Sequence, residues 1–210
     1  MASVRQIAEE KFPIKEMVEE LKLLTDNPNL LGDFLKDEEI PIFILSYNHE
    51  RSRIKVSEQF RNTCKIYFVC STDDPYLDTF RKELSDWENL LVFSKEDYIG
   101  DITISGDDLG LIPPFNRVAS IARRFVSDYV EKNNISHYIM SDNDLNISLR
   151  TYDGKRHPFS NEMLWNGIRT YFYLLDKYKD KLSWINAVSV LGEIGGAAYK
   201  DCYIRPACLG

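Results

Sequence analysis

Asp142-Asn143-Asp144 is the stretch whose residue types and spacing best suit chemistry. Carboxylates at i and i+2 of an extended segment lie on one side of it. So placed, they can hold one hard cation through oxygen, directly or through water. Magnesium or manganese accepts such a site while keeping positions for phosphate oxygens. A cation there would neutralise charge building up on a diphosphate leaving group. The same residues also suit a solvated turn, with Asn143 tolerating an unusual backbone angle. Context favours the chemical reading: the apolar run His137-Tyr138-Ile139-Met140 precedes the motif almost immediately, and a long helical pattern precedes that run.

The apolar runs supply the scaffold such groups need. Residues 40–46 (IPIFILS) and 65–70 (KIYFVC) are short and nearly continuous, as buried parallel strands are. Residues 90–94 and 136–140 read as two more strands. Helical spacing fills the intervals at 51–62, 76–85 and 115–132. This alternation predicts an α/β fold, a mostly parallel sheet flanked by helices. Further on, 145–151 reads as a strand, 161–177 as an aromatic-rich helix and 184–191 as a last apolar strand. Ahead of the sheet, Ile14, Met17, Val18, Leu21 and Leu24 recur at helical steps between Pro13 and Asn27-Pro28-Asn29. The expected organisation is a helical N-terminal extension, 1–38, packed on a main domain, 39–210.

Composition narrows the function. Across 210 residues, 44% are hydrophobic and 28% charged, the balance of an ordinary globular chain. The net charge of −7 disfavours a surface built wholly to attract phosphate, though it leaves room for a local basic groove. Cys64, Cys70, Cys202 and Cys208 fall outside C-x-x-C spacing and only three histidines are present, so no zinc site is expected. No apolar run approaches the roughly 18 residues of a membrane span. Glu9, Glu10 and Lys11 stand where a secretory leader would be apolar. The expectation is a cytoplasmic protein with no membrane partner. The loop after the first strand, Tyr47-Asn48-His49-Glu50-Arg51, is not G-x-G-x-x-G, and neither a P-loop nor a G-x-S-x-G elbow occurs. Dinucleotide oxidoreductases, P-loop phosphotransferases and acyl-transfer hydrolases are thereby disfavoured.

Ala122-Arg123-Arg124-Phe125, followed by His137 to Asp144, resembles the GT-A glycosyltransferases, in which an arginine-bearing helix leads into a strand ending in D-x-D. Residues 42–48 and 68–75 are similar to the first two strands of those enzymes. More narrowly, Ile44-Leu45-Ser46-Tyr47-Asn48 with Asp74-Pro75-Tyr76 and Phe93-Ser94-Lys95 resembles the phage TET-associated glycosyltransferases. Asn143 and Arg124 depart from the residues frequent in that pattern. The resemblance covers about residues 40–150 and implies a GT-A, Rossmann-like sheet and a nucleotide-sugar donor. It further implies a divalent cation, Mn or Mg, on Asp142 and Asp144, and an acceptor hydroxyl on 5-hydroxymethylpyrimidine in phage DNA, with activity in the host cytoplasm.

The resemblance also assigns roles, each beside a plainer alternative. Ser46, Tyr47 and Asn48 would meet the base, or form a turn with a packed tyrosine. Asp73 and Asp74 would accept bonds from ribose or base, and can equally cap the next helix. Arg51, Arg53 and Lys95 can pair with diphosphate, since guanidinium grips phosphate in a fork, or can be ordinary surface cations. Arg123 is expected near the sugar or its phosphates, with Arg117 behind it, and Asn143 belongs to the donor site. Two adjacent helical arginines cannot face the same way, so Arg123 and Arg124 should differ in burial. The loop 106–110 is either a lid or a solvated loop. Lys155, Arg156 and His157 form a basic cluster for donor or DNA phosphate, or a solvated turn. An inverting transferase needs a carboxylate base, for which Glu193 or Asp201 can serve. A sugar nucleotidyltransferase and a non-catalytic module on the same scaffold are the competing readings.

Overall fold

β1 (Ile40–Leu45) is buried at every position. Only a strand flanked by other strands and covered on both faces achieves that. In the computed structural model, which describes residues 14–98, 114–143, 149–150, 156–157, 160–178, 185–186 and 205–206, β1 lies between β2 (Cys64–Ser71) and β4 (Ile139–Asp142). β3 (Glu88–Phe93) lies beyond β2. Every pairing in this four-stranded sheet is parallel, and the order is β3-β2-β1-β4. The chain therefore steps outward through β1, β2 and β3, then returns to place β4 on the other side of β1. The expected α/β architecture, a parallel sheet flanked by helices, is what forms. Pro41 lies ahead of the Ile42–Leu45 stretch on which β4 pairs, near the strand start where a missing donor is tolerated.

Alternation of side chains divides the core between the two faces. Phe43, Leu45, Val69 and Phe93 pack against Val118, Ile121, Ala122, Val126 and Val130 of α4 (Pro114–Lys132). Within this layer Phe43 stacks on Tyr67 at 5.3 Å and meets Tyr129 edge-on at 5.8 Å. On the other face Phe68 packs on Phe80 of α3 (Leu77–Glu83), ring centroids 5.3 Å apart. Ile42, Phe43 and Ile44 are fully buried, each such side chain contributing about 1.5–3 kcal/mol.

The single helix expected at 51–62 is instead a 3-10 turn, Arg51–Arg53, followed by the short α2 (Val56–Phe60). Ile54 between them is extended, and its carbonyl accepts from Arg51 Nη1 at 3.1 Å. Arg51 is buried over the Phe68 ring. Its guanidinium grips the fully buried Glu88 carboxylate, with Nε 3.2 Å from Oε2, and donates to Ser57 Oγ at 3.3 Å. Glu88 Oε2 also accepts from Ser85 N at 3.0 Å. Satisfying this buried pair breaks the helix. The fourth strand also departs from expectation. It runs to Asp142 instead of ending at Met140, so the first acid of the motif is the last residue of the sheet.

By its contacts the chain divides into two compact units: Glu39–Ser148, which holds the parallel sheet, and a second made of Met1–Glu38 with Leu149–Gly210. In the second, Met17 and Leu24 of α1 (Ile14–Asp26) form a core with Leu31 and with Leu174 of α5 (Asn161–Lys177). Ser160 caps α5 by accepting from Met163 N at 3.2 Å. Buried Arg169 donates to the carbonyls of Phe34 and Gly32 at 2.7 and 2.6 Å. Those bonds clamp a turn in which Gly32 and Leu35 both have φ of 52°. β5 (Leu149–Arg150) pairs antiparallel with β6 (Arg156–His157), and β7 (Ile185–Asn186) with β8 (Arg205–Pro206). Among the described residues no helix is long and apolar enough to cross a membrane.

Removing one partner of a buried, saturated ion pair strands the other charge, at a cost of about 3–5 kcal/mol. Arg51→Met is expected to lower the urea unfolding free energy by about that amount, and Arg51→Met with Glu88→Leu to recover most of it. Equal stability of wild type and the single variant would contradict this account of the pair.

Candidate functional site

In a parallel sheet whose strand order reverses, the crevice opens where strands on either side of the switch point diverge at their carboxyl ends. Here that point lies between β1 and β4. The ladder runs one residue past β1, with Ser46 N donating to Val69 O at 2.9 Å. The Ser46 hydroxyl is buried there with no hydrogen-bond partner among the described residues. The chain then turns sharply. Asn48 has φ of 57°, a left-handed conformation that asparagine tolerates better than most residues.

That turn is held by Asp74. Its Oδ2 accepts from Asn48 N at 3.2 Å and its Oδ1 from Tyr76 N at 2.8 Å. One buried carboxylate thus ties the loop after β1 to the start of α3. Burial lifts the Asp74 carboxyl above its ordinary value, against the opposing pull of the two amides. Asp74 is therefore committed internally, through an Asx turn onto Tyr76, and it is Tyr76, with no side-chain cap bond, that stands at the N-cap of α3.

Beside it, Lys95 at the end of β3 reaches across to β2 and β1. Its Nζ lies 2.5 Å from Asp73 Oδ2 and 4.6 Å from the centre of the Tyr47 ring. Partial burial acts against the ammonium, but the Asp73 bond and charge, with a smaller contribution from the neighbouring Tyr47, outweigh it and raise the Lys95 value. Partial burial likewise works to raise Asp73, and the Lys95 bond and charge, together with smaller hydrogen-bond contributions, outweigh it, leaving the carboxyl below its usual range. Three strand ends are thus joined through one half-buried cation.

On the far side of β1, Asp142 is in register with Leu45. Alternation buries Ser141 and leaves Asp142 exposed. Arg123 Nη2 of α4 stands 3.3 Å from Asp142 Oδ1, both side chains about half exposed. Arg124 turns along its own helix to Asp128, 3.1 Å away. The two arginines are both exposed, so they differ in partner and not in burial. Adjacent helical positions point about 100° apart, and only Arg123 meets the sheet edge.

Comparison with protein-family models, curated proteins and solved structures gives no match.

The strand ends thus gather Ser46, Tyr47, Asn48, Asp73, Asp74, Lys95, Arg123, Asp142 and Asn143 along one edge of the sheet. Arg51 does not join them: a guanidinium spent on the buried Glu88 has little to offer a diphosphate at that edge. Arg53 pairs with Glu50 on the surface, 3.0 Å away. Asp144, Glu193, Asp201, Lys155 and the loop 106–110 lie outside the described residues, as do the side chains of Arg117, Arg156 and His157. Among the described residues no group of three or more His, Cys, Asp or Glu side chains is placed to hold a metal ion. Magnesium needs only one or two carboxylates beside waters and phosphate oxygens. The accessible Asp142 fits as one of them. Glu88 was missed from the sequence because an acid opening a strand looks solvated until its partner is known.

Two outcomes follow from this geometry. Asp74→Ala leaves two amides without their acceptor and is expected to lower unfolding free energy by about 1–3 kcal/mol. Asp74→Asn should recover only part, because its Nδ2 cannot accept. Asp73 sits below 3.8 and Lys95 above 10.5. Their contribution is therefore fully present between those values. It is lost as pH falls through the folded value of Asp73 or rises through that of Lys95. The stability difference between wild type and Lys95→Met, measured by urea unfolding, should be flat between them and shrink on both sides.

Proposed function

We propose that the chain is a metal-dependent glycosyltransferase of the GT-A type, moving a sugar from a nucleoside diphosphate sugar to an acceptor hydroxyl. The observation that carries this reading is the β1–β4 register. It sets an exposed carboxylate and an arginine, Asp142 and Arg123, at the switch point beside the loop Ser46-Tyr47-Asn48. In the proposed donor complex Tyr47, with the Lys95–Asp73 pair behind it, borders the base and ribose. Asn48 offers its side chain to the base edge while Asp74 holds its backbone. Arg123 faces the diphosphate, where a guanidinium can bond two oxygens at once.

Asp142 with Asp144 would hold manganese or magnesium, which would neutralise charge on the departing diphosphate, and Asn143 between them would border the donor. For the acceptor the proposal follows the sequence resemblance: the hydroxyl of 5-hydroxymethylpyrimidine in DNA, with Glu193 or Asp201 as the base. The absence of glycine from 47–53 argues against the nucleotidyltransferase alternative.

The test is release of nucleoside diphosphate from a panel of nucleotide sugars with manganese, with and without hydroxymethylated DNA. Asp142→Asn is expected to lower turnover at least 100-fold, in line with loss of a charge-stabilising group (about 10²–10³). Its unfolding midpoint should stay unchanged. Unaltered turnover removes Asp142 from the mechanism, and no release with any pair ends the transferase reading.

A further inference from the structure

Arg123 and Asp142 are the two groups proposed to meet the diphosphate and the cation, and they also meet each other, 3.3 Å apart. We infer that this pair is a latch: Arg123 occupies the cation's place on Asp142, and Asp142 occupies the diphosphate's place on Arg123. The inference rests on the donor-site reading above and adds to it a coupling between the two ligands.

The geometry supports an exchangeable contact. Both side chains are about half exposed, and the bond is single and at the long end for a charged pair. Among the described residues neither group has a second side-chain bond, in contrast to Arg51, whose guanidinium is held by Glu88, Ser57 and Ile54. Arg124, the next residue of the helix, has its own carboxylate in Asp128 and does not compete for Asp142. A divalent cation arriving alone must displace the guanidinium from one carboxylate oxygen. A diphosphate arriving alone must displace the carboxylate from the guanidinium. Whichever binds first frees the site of the other, so the two ligands bind with positive coupling, equal in both directions. The coupling is limited by the strength of an exposed ion pair, which corresponds to about a two- to five-fold change in affinity.

Manganese(II) alone, titrated into the full chain and followed by the spin-resonance signal of the free ion, reads the latch without turnover. Arg123→Gln is expected to bind manganese about two- to five-fold more tightly than wild type. Arg124→Gln, which removes the same charge one residue away, should bind as wild type does, and Asp142→Asn should lose the site. If Arg123→Gln gains nothing while Asp142→Asn still weakens binding, the latch is overturned and the donor-site reading stands. An equal gain in Arg124→Gln also overturns it, since the effect is then general electrostatics. If neither wild type nor Arg123→Gln binds manganese, both the latch and the metal-site reading fall.

Discussion

The pairing of β4 with β1 in the register Leu45↔Asp142 sets the relation among the polar groups flanking the switch point. Side chains alternate along a strand, so a slip of one residue would turn Asp142 inward and Ser141 outward. A carboxylate turned into the layer beside Ile44 would have no amide or cation arranged to meet it, a cost of several kcal/mol. The apolar residues of β1 hold the register from the other side. Phe43 must face Tyr129 and Tyr138 of the layer under α4, while Ile42 and Ile44 face the other way. Core and edge are fixed by the same pleat, and neither can shift without the other.

Two kinds of charge pair follow from where they stand on that frame. Arg51–Glu88 is buried, multiply bonded and stacked on Phe68. It joins the segment after β1 to the start of β3. Lys95–Asp73 and Arg123–Asp142 sit at the carboxyl edge with solvent beside them. An exposed pair such as Arg123–Asp142 contributes little to stability because water already screens its charges, and Lys95–Asp73 is shielded on the lysine side only. For the same reason an exposed pair can exchange partners at little cost. The interior pair holds shape and the edge pairs hold charge in readiness, although the same residue types build both.

How much of this the sequence revealed depended on whether a signal was local. The continuous apolar runs at 40–46 and 65–70 marked β1 and β2 within a residue or so, because strands buried on both faces have little other way to be written. The helix at 161–177 has the bounds its periodicity gives, with Ser160 as its cap. The break at Ile54 was not legible: Arg51 and Glu88 lie 37 residues apart, and only the tertiary pairing shows that Arg51 turns inward. The same limit made Arg51 look like a diphosphate ligand. Asp142, Asp73 and Asn48 could be placed together because each ends an apolar run. The strand order that makes β1 and β4 neighbours came from the fold.

On the proposed reading, the edge would let an acidic chain offer a place to an anion. With a net charge of −7, the protein as a whole repels phosphate at long range. At the carboxyl edge, however, Lys95 faces Asp73 and Arg123 faces Asp142. Asp74 is turned inward onto the amides of Asn48 and Tyr76. Asp73, Asp74 and Asp142 thus each have a partner of their own. An anion drawing Arg123 away would expose Asp142, and the local balance would turn negative unless a cation replaced the guanidinium. Local charge balance at this strand end would, on the proposed donor reading, favour anion and cation together.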